Sequence, residues 1–336
     1  MVSYYARRIG QSIFTIFSVI TLSFGLIRLM PGGPMDFLRA QLRSDLGQDV
    51  DTERLNSLVE TYISIQPADP LWKQYIDYIV SIFQGDLGKS IWYNKPVINI
   101  LADATPWTVF VMATAILITF SIGVSVGAVM AYFEGGKFDA GTTVIAIFLT
   151  STPYYIFALL FLAFFAYQRK WFPTGGRLSA GVSPGFSSRF LFDVLHHAAL
   201  PIISIVLTDF GGWALSMRGN SIRVLGEDYL RVARLRGLPA RTIAMKYVGR
   251  NAILPMYTGL MISIGFAFGG AVILETIFAY PGVGYYILKA VNARDYPLMM
   301  GGFLVITIAV VVGILIADLT YGRIDPRAGG EDRESY

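Results

Sequence analysis

The stretch from Trp107 to Tyr132, WTVFVMATAILITFSIGVSVGAVMAY, runs for 26 residues without one Asp, Glu, Lys, Arg or His. As an α-helix rising about 1.5 Å per residue it extends roughly 39 Å, more than the ~30 Å of hydrocarbon in a bilayer. Lipid offers no partners for backbone N–H and C=O groups, so a segment this apolar crosses as a helix that satisfies them internally. Within it, Gly123-x-x-x-Gly127 has the small-residue spacing that lets helix backbones approach closely.

Outward from this span lie five more apolar runs: Ile9 to Met30, Ala140 to Tyr167, Leu200 to Met217, Ile253 to Glu275 and Pro297 to Tyr321. The fifth span in chain order carries a second small-residue pair, Gly265-x-x-x-Gly269. The reading is an all-α integral membrane protein with about six spans. Composition agrees, since 54% apolar and 15% charged residues with a mean hydropathy of +0.55 do not suit an ordinary soluble domain. The first run, Ile9 to Met30, resembles a signal peptide, but its 22 residues exceed a typical signal core and no small-residue cleavage site follows. It reads as a retained span stopped by Pro31-Gly32-Gly33-Pro34. The domain plan is then residues 1–34 (tail and first span), 35–103 (external loop region), 104–322 (five-helix core with a connection at 218–251) and 323–336 (tail). In the loop region Trp72, Ile76, Ile79 and Phe83 fall on one helical face with Lys73, Gln74 and Asp77 turned away. That pattern predicts an amphipathic helix at the membrane surface or against a partner.

A net charge of +4 and a pI near 9.1 raise the question of nucleic acid, but basic residues beside membrane spans have a topological explanation. The richest connection holds Arg218, Arg223, Arg231, Arg234, Arg236, Arg241, Lys246 and Arg250, which puts it in the cytoplasm. With six spans both termini share that side, together with Arg7, Arg8, Arg323, Arg327 and Arg333. The absence of cysteine excludes disulfides, thiolate metal sites and cysteine nucleophiles. His196 and His197 are neighbours and point apart, which makes a poor metal pair. Gly85-Asp-Leu-Gly88-Lys89-Ser90 imitates a phosphate loop, yet Phe83 stands where the pattern needs its first glycine. Gly181-Val-Ser183-Pro-Gly185 imitates a nucleophile elbow, yet proline follows the serine and the surroundings read as a turn.

The cytoplasmic connection contains Glu227-Asp-Tyr-Leu-Arg-Val-Ala-Arg-Leu-Arg-Gly-Leu-Pro239, with acids at the start and glycine at the end, the signals of a short helix. Tyr229, Val232, Ala233 and Arg236 share a face, a ridge suited to a protein groove; the bland alternative is a basic helix on anionic lipid.

Ala233-x-x-x-Gly237, followed by Asn251-Ala-Ile-Leu-Pro255, resembles the cytoplasmic signature loop of ATP-binding cassette (ABC) importer permeases. The likeness is to the oligopeptide, dipeptide and nickel branch, and to the first of its two permease chains. Arg231 and Val232 stand where the general signature has glutamate and alanine, a departure similar to that branch's own pattern. Pro31-Gly32, Gly85-Asp-Leu-Gly88, the segment from Gly269 to Gly282, Arg294-Asp-Tyr-Pro297 and Asp325-Pro326 extend the resemblance over nearly the whole chain. It implies a type I importer fold with an extended external loop after the first span. The implied partners are a second homologous permease subunit, two cytoplasmic ABC ATPase subunits and an extracytoplasmic substrate-binding protein. ATP and Mg would sit at the ATPases, with no cofactor, metal or catalytic residue in this chain. Glu227, Asp228, Tyr229, Val232, Ala233, Arg236 and Gly237 would form the element that couples to them, Ala233 facing the groove.

Arg28, Asp209, Glu275 and Asp318 lie in or near spans, where lipid is a costly neighbour. Glu275 and Asp209 are the candidates for the translocation path or its gate, with a structural hydrogen-bonding role at the Pro281-Gly282 turn as the alternative for Glu275. Peptides are the expected cargo; oligosaccharides or chelated metals fit the same architecture. An intramembrane enzyme would need a catalytic set inside the spans, where no histidine lies, and a passive channel would carry substrate alone and without ATP. In this cysteine-free chain, a cysteine placed at Gly237 should stay unlabelled by a membrane-impermeant thiol reagent in intact cells and react after permeabilisation. Labelling in intact cells would reverse the orientation.

Overall fold

The computed structural model describes residues 2–29, 38–40, 42–44, 51–63, 69–239, 242–266 and 272–324, and among these the only regular elements are helices. The first span is α1 (Val2–Leu29). The polar stretch after it forms α2 (Thr52–Ile63) and α3 (Leu71–Phe83). Then follow α4 (Val97–Tyr132), α5 (Lys137–Ser151) and α6 (Tyr154–Phe161), the last running on through a π-helical turn at Leu162–Gln168. The long α7 (Ser188–Leu225) leads to the short α8 (Asp228–Leu235). A second π-helical turn at Ile243–Gly249 feeds α9 (Arg250–Phe266), and α10 (Val272–Ile277), α11 (Val283–Ala293) and α12 (Tyr296–Ile324) complete the chain. Pro31 to Pro34, Gly269, Asp325-Pro326 and the side chains of Arg28 and Asp318 lie outside the described residues.

Within α1, α4, α7 and α12 lie stretches long and apolar enough to span a bilayer, and Lys137–Gln168 makes a fifth crossing if its two halves are one span. Those halves are bent by 87°. The sequence reading had Ala140 to Tyr167 as one span; Pro153 explains the break, since it forces Thr152 before it into an extended conformation (φ −99°, ψ 122°). One more passage runs from α9 to α10, because Ala252 lies beside Asn220 at one end of α7 while Glu275 is bonded to Thr108 near the other end of the bundle. Helices α4 and α7 begin well before Trp107 and Leu200. Asn99 and Asp103 in α4, and Arg189, Asp193, His196 and His197 in α7, interrupt those earlier turns, so hydrophobicity marks the crossing and not the helix end.

The centre of the bundle is the parallel pair α4 and α7. Val111 and Ala115 pack with Ala198, Leu200, Ile202 and Ile205, Phe120 meets Trp213 edge-on at 5.1 Å, and Gly127 lies against Ala214 and Met217. A Cβ on Gly123 or Gly127 would overlap Trp213 or the Ala214 carbonyl, so this small-residue pair is a true close approach. Helix α5 joins through Gly211, which faces Ala146 and Thr150, and α9 runs antiparallel to α7 with Met256 on Met217. Helix α12 packs on α9 and α11, while α1 leans on α12 with only 6% of its spanning window buried.

Gly127→Leu should force α4 and α7 apart and cost about 1–3 kcal/mol, read as a lower thermal unfolding midpoint in detergent. Gly10→Leu, at a site with nothing within 4 Å, should leave the midpoint unchanged. Equal effects would mean the helices do not depend on that contact.

Candidate functional site

One face of α7 does not suit lipid. Asp209, Ser216, Gly219 and Arg223 are all exposed on it, and at 100° per residue they lie within about 80° of arc. Asn220, half-buried on the same side, reaches the Ala252 carbonyl at 3.4 Å. The stripe ends in a cavity of about 430 Å³ between α7 and α9, lined by Trp213, Ser216, Gly219, Asn220, Arg223 and Gly259 among others. A carboxylate and a guanidinium on the surface of a spanning helix need water or a partner protein beside them. Of the charged span residues singled out in the sequence, Asp209 lies on this face. Ser216, Gly219 and Asn220 were missed, although their spacing of seven, ten and eleven residues from Asp209 puts them on its face.

Glu275 is placed differently. It is 2% exposed and turned into its own chain, so it does not line an open path. The Thr108 hydroxyl donates to its Oε1 at 2.5 Å and the Tyr285 N–H to its Oε2 at 2.9 Å, while Thr108 Oγ1 accepts from the Val283 N–H at 2.9 Å. Gly282 leaves room for this, since a Cβ there would overlap the carboxylate and the Thr108 hydroxyl. The carboxylate caps the first turn of α11 and ties α10, α11 and α4 together. Arg177 adds a second tie by donating to Asp103 Oδ2 at 2.7 Å and to the Pro281 carbonyl at 3.4 Å, with its guanidinium 4.9 Å from the Trp107 ring centre.

The imitation phosphate loop is also structural. Gly85 and Gly88 take positive φ (79° and 78°), and the turn closes on Ser90. The Ser90 hydroxyl and the Trp92 N–H donate to Asp295 Oδ2 at 2.5 and 3.1 Å, and Asp295 Oδ1 accepts from the Leu298 N–H at 3.3 Å in the first turn of α12. Asp295 is fully buried. The two histidines diverge: His196 Nε2 lies 2.8 Å from the Trp171 carbonyl, and His197 Nδ1 lies 2.9 Å from that of Asp193.

At the other end of α7, Glu227 precedes α8, Asp228 sits in its first turn, and Gly237 ends it with φ +67°. The Gly237 N–H donates to Arg234 O at 2.9 Å and the Leu238 N–H to Ala233 O at 3.3 Å, the paired bonds of a Schellman stop. Ala233 does not face outward as expected. It is 3% exposed and packs with Leu230, Ile243 and Val248, because the chain after Pro239 folds back over that side of α8. The outward ridge is Tyr229, Val232 and Leu235, the last 82% exposed, flanked by exposed Arg231 and Arg236. Asn251 Nδ2 donates to the Tyr229 hydroxyl at 3.1 Å, which ties the second part of the sequence signature to the helix that carries the first. Arg218 makes a two-pronged pair with Asp139 (2.5 and 2.7 Å), and Asp139 also accepts from the Gly135 N–H at 3.0 Å, fixing the α4–α5 turn beside this connection.

A polytopic helical bundle with a polar face on a central helix, and a capped amphipathic helix projecting from one end, has the build of a membrane transport component. Residues 123–330 match the family described as the inner membrane component of binding-protein-dependent transport systems, and the chain belongs to that family. It is 31% identical over 97% of its length to the di/tripeptide transport system permease protein DppB of Pseudomonas aeruginosa, covering 98% of that protein. It is also 31% identical to the oligopeptide transport system permease protein AppB of Bacillus subtilis (97% of this chain, 99% of that one). The probable D,D-dipeptide transport system permease protein DdpB of Escherichia coli is 31% identical over 96% of each chain. The chain is therefore a permease subunit of an ABC importer.

Glu275→Ala should leave the Thr108 hydroxyl and the Tyr285 N–H unpaired and cost about 2 kcal/mol or more, with Glu275→Gln milder because one acceptor remains. Thermal unfolding of the two variants checks this, and an undisturbed alanine variant would remove the capping role.

Proposed function

We propose that this chain forms half of a peptide-import pathway. The names of its relatives support peptides as cargo, and the exposed stripe through Asp209, Ser216 and Arg223 supports a wall shared with a second permease subunit. An extracytoplasmic binding protein would deliver the peptide. Both termini and the 218–251 connection lie in the cytoplasm on this reading, since that connection concentrates the arginines.

The observation that carries the coupling role is the two-sidedness of α8. Its inner side is bonded into the chain through Leu230, Ala233 and the Schellman stop at Gly237, while Val232 and Leu235, with the ring of Tyr229 beside them, are exposed to meet a groove on an ATPase subunit. Glu227 and Asp228 start the helix, and Arg236 borders its ridge. A helix held so firmly on one side passes on displacement from the other. ATP and Mg belong to the two ATPase subunits, and this chain contributes motion and a path without chemistry on ATP.

Single cysteines at Val232 and Leu235 should cross-link to an ATPase subunit through a short bismaleimide, and Leu235→Asp should lower ATP-dependent uptake of a labelled tripeptide more than tenfold with the chain still inserted. A helix resting on lipid predicts no cross-link. Absence of the cross-link in an assembled complex would remove α8 from the coupling role.

A further inference from the structure

Helix α3 is built inside out. Its polar Gln74 is 3% exposed, while Trp72 is 66%, Ile76 49% and Phe83 81% exposed, with Val80 exposed on the same side. The side turned to the protein carries Tyr75 and Tyr78. The Tyr75 hydroxyl lies 2.6 Å from Thr21 Oγ1, and both rings pack on Phe24, with centroids at 5.3 and 5.7 Å. At 100° per residue the apolar face is centred about a third of a turn from that tyrosine side, so it looks sideways past α1 and not back into the protein.

What covers it follows from depth. Thr21 and Phe24 are 14 and 17 residues beyond Arg7, or roughly 21 and 26 Å along α1, whose crossing begins after the arginine pair. Hydrocarbon is ~30 Å thick, so these contacts fall in its last third, ~4–9 Å short of the far edge. Helix α1 is thinly covered along its length, with Ile9, Ile13, Phe14 and Phe17 exposed, and at that level Thr21 and Leu22 are exposed as well. A helix moored there has acyl chains and headgroups beside it. Tryptophan is favoured at that level, and an apolar face with Lys73 at its border is the pattern of a helix lying in the interface plane.

We propose that α3 is a lipid-embedded foot, with Trp72, Ile76, Val80 and Phe83 among the upper acyl chains of the leaflet opposite the N-terminus. On the orientation proposed above that is the external leaflet; the embedding itself does not rest on that orientation. The foot holds a larger assembly at the membrane surface. Tyr78 belongs to a cluster with Leu38, Val59, Tyr62 and Ile91, the Tyr62 carbonyl accepts from the Lys89 N–H at 2.9 Å, and Ser90 leads to the Asp295 tie.

The chain has no cysteine, so single cysteines report cleanly. Ile76→Cys, Phe83→Cys and Lys73→Cys are each labelled with the polarity-sensitive fluorophore NBD in the full-length chain, co-purified with its partner subunits in nanodiscs. Labels at positions 76 and 83 should emit to the blue and be quenched at least twofold more than the label at 73 by phosphatidylcholine carrying a nitroxide at acyl carbon 5. Val80→Cys replaces either position if its label lowers the unfolding midpoint. Blue emission without lipid quenching would mean that a protein covers the face, and water-like emission that nothing does; either result overturns the proposal.

Discussion

The contact on which the rest of this structure depends is the close approach of α4 and α7 at Gly123, Gly127 and Ala214. In lipid, helices gain nothing by hiding apolar surface from water, so association rests on dispersion contacts that fall off steeply with distance. Absent side chains at these positions let the backbones touch and place Trp213 and Phe120 in register. From that pair the bundle extends both ways. The first half of α4 carries Thr108, and with it the Glu275 cap, while the last turns of α7, at the opposite end of the bundle, carry Arg218 and lead into α8.

Three carboxylates then fix the turns. Glu275, Asp295 and Asp139 are each at most 3% exposed, and each accepts bonds from at least two segments of chain. Such groups are expensive to bury unless fully bonded, and removing a partner from a buried pair costs about 3–5 kcal/mol. The same expense makes them specific: each joins segments far apart in sequence in one arrangement, as Ser90 and Asp295 do across 205 residues. Hydrophobic packing in a greasy bundle tolerates sliding. Directed bonds at its ends do not.

The fold was largely legible in the sequence because membrane crossing is a one-dimensional problem of length and apolarity. The short helix Glu227 to Gly237 was legible too, with its start and its glycine stop. What the sequence could not show was the direction in which a residue between two faces turns. Ala233 lies at the border of the apolar arc of α8, and only the fold-back of Ile243 and Val248 turns it inward. Glu275 was ambiguous for a related reason: an acid near a proline turn suits a path or a cap, and Thr108, 167 residues away, decides between them. The break at Pro153 was readable in principle, since a residue before proline avoids the helix, but continuous apolarity masked it.

The long α7 joins the features of functional interest. It carries the stripe from Asp209 to Arg223, receives the ion pair of Asp139 at Arg218, and is separated by only Gly226 and Glu227 from α8, which starts at Asp228. Its middle packs on α4 through glycine and its last turns on α9 through Met217 and Met256, so it cannot turn alone. On the proposed coupling, a push on the exposed side of α8 reaches the polar stripe through one continuous helix and its packed neighbours, whereas the turns held by Glu275 and Asp295, at the opposite end of the bundle, belong to α10, α11 and α12. The half of the bundle nearest α8 then moves as a body with it, and the capped turns at the opposite end are the frame against which it moves.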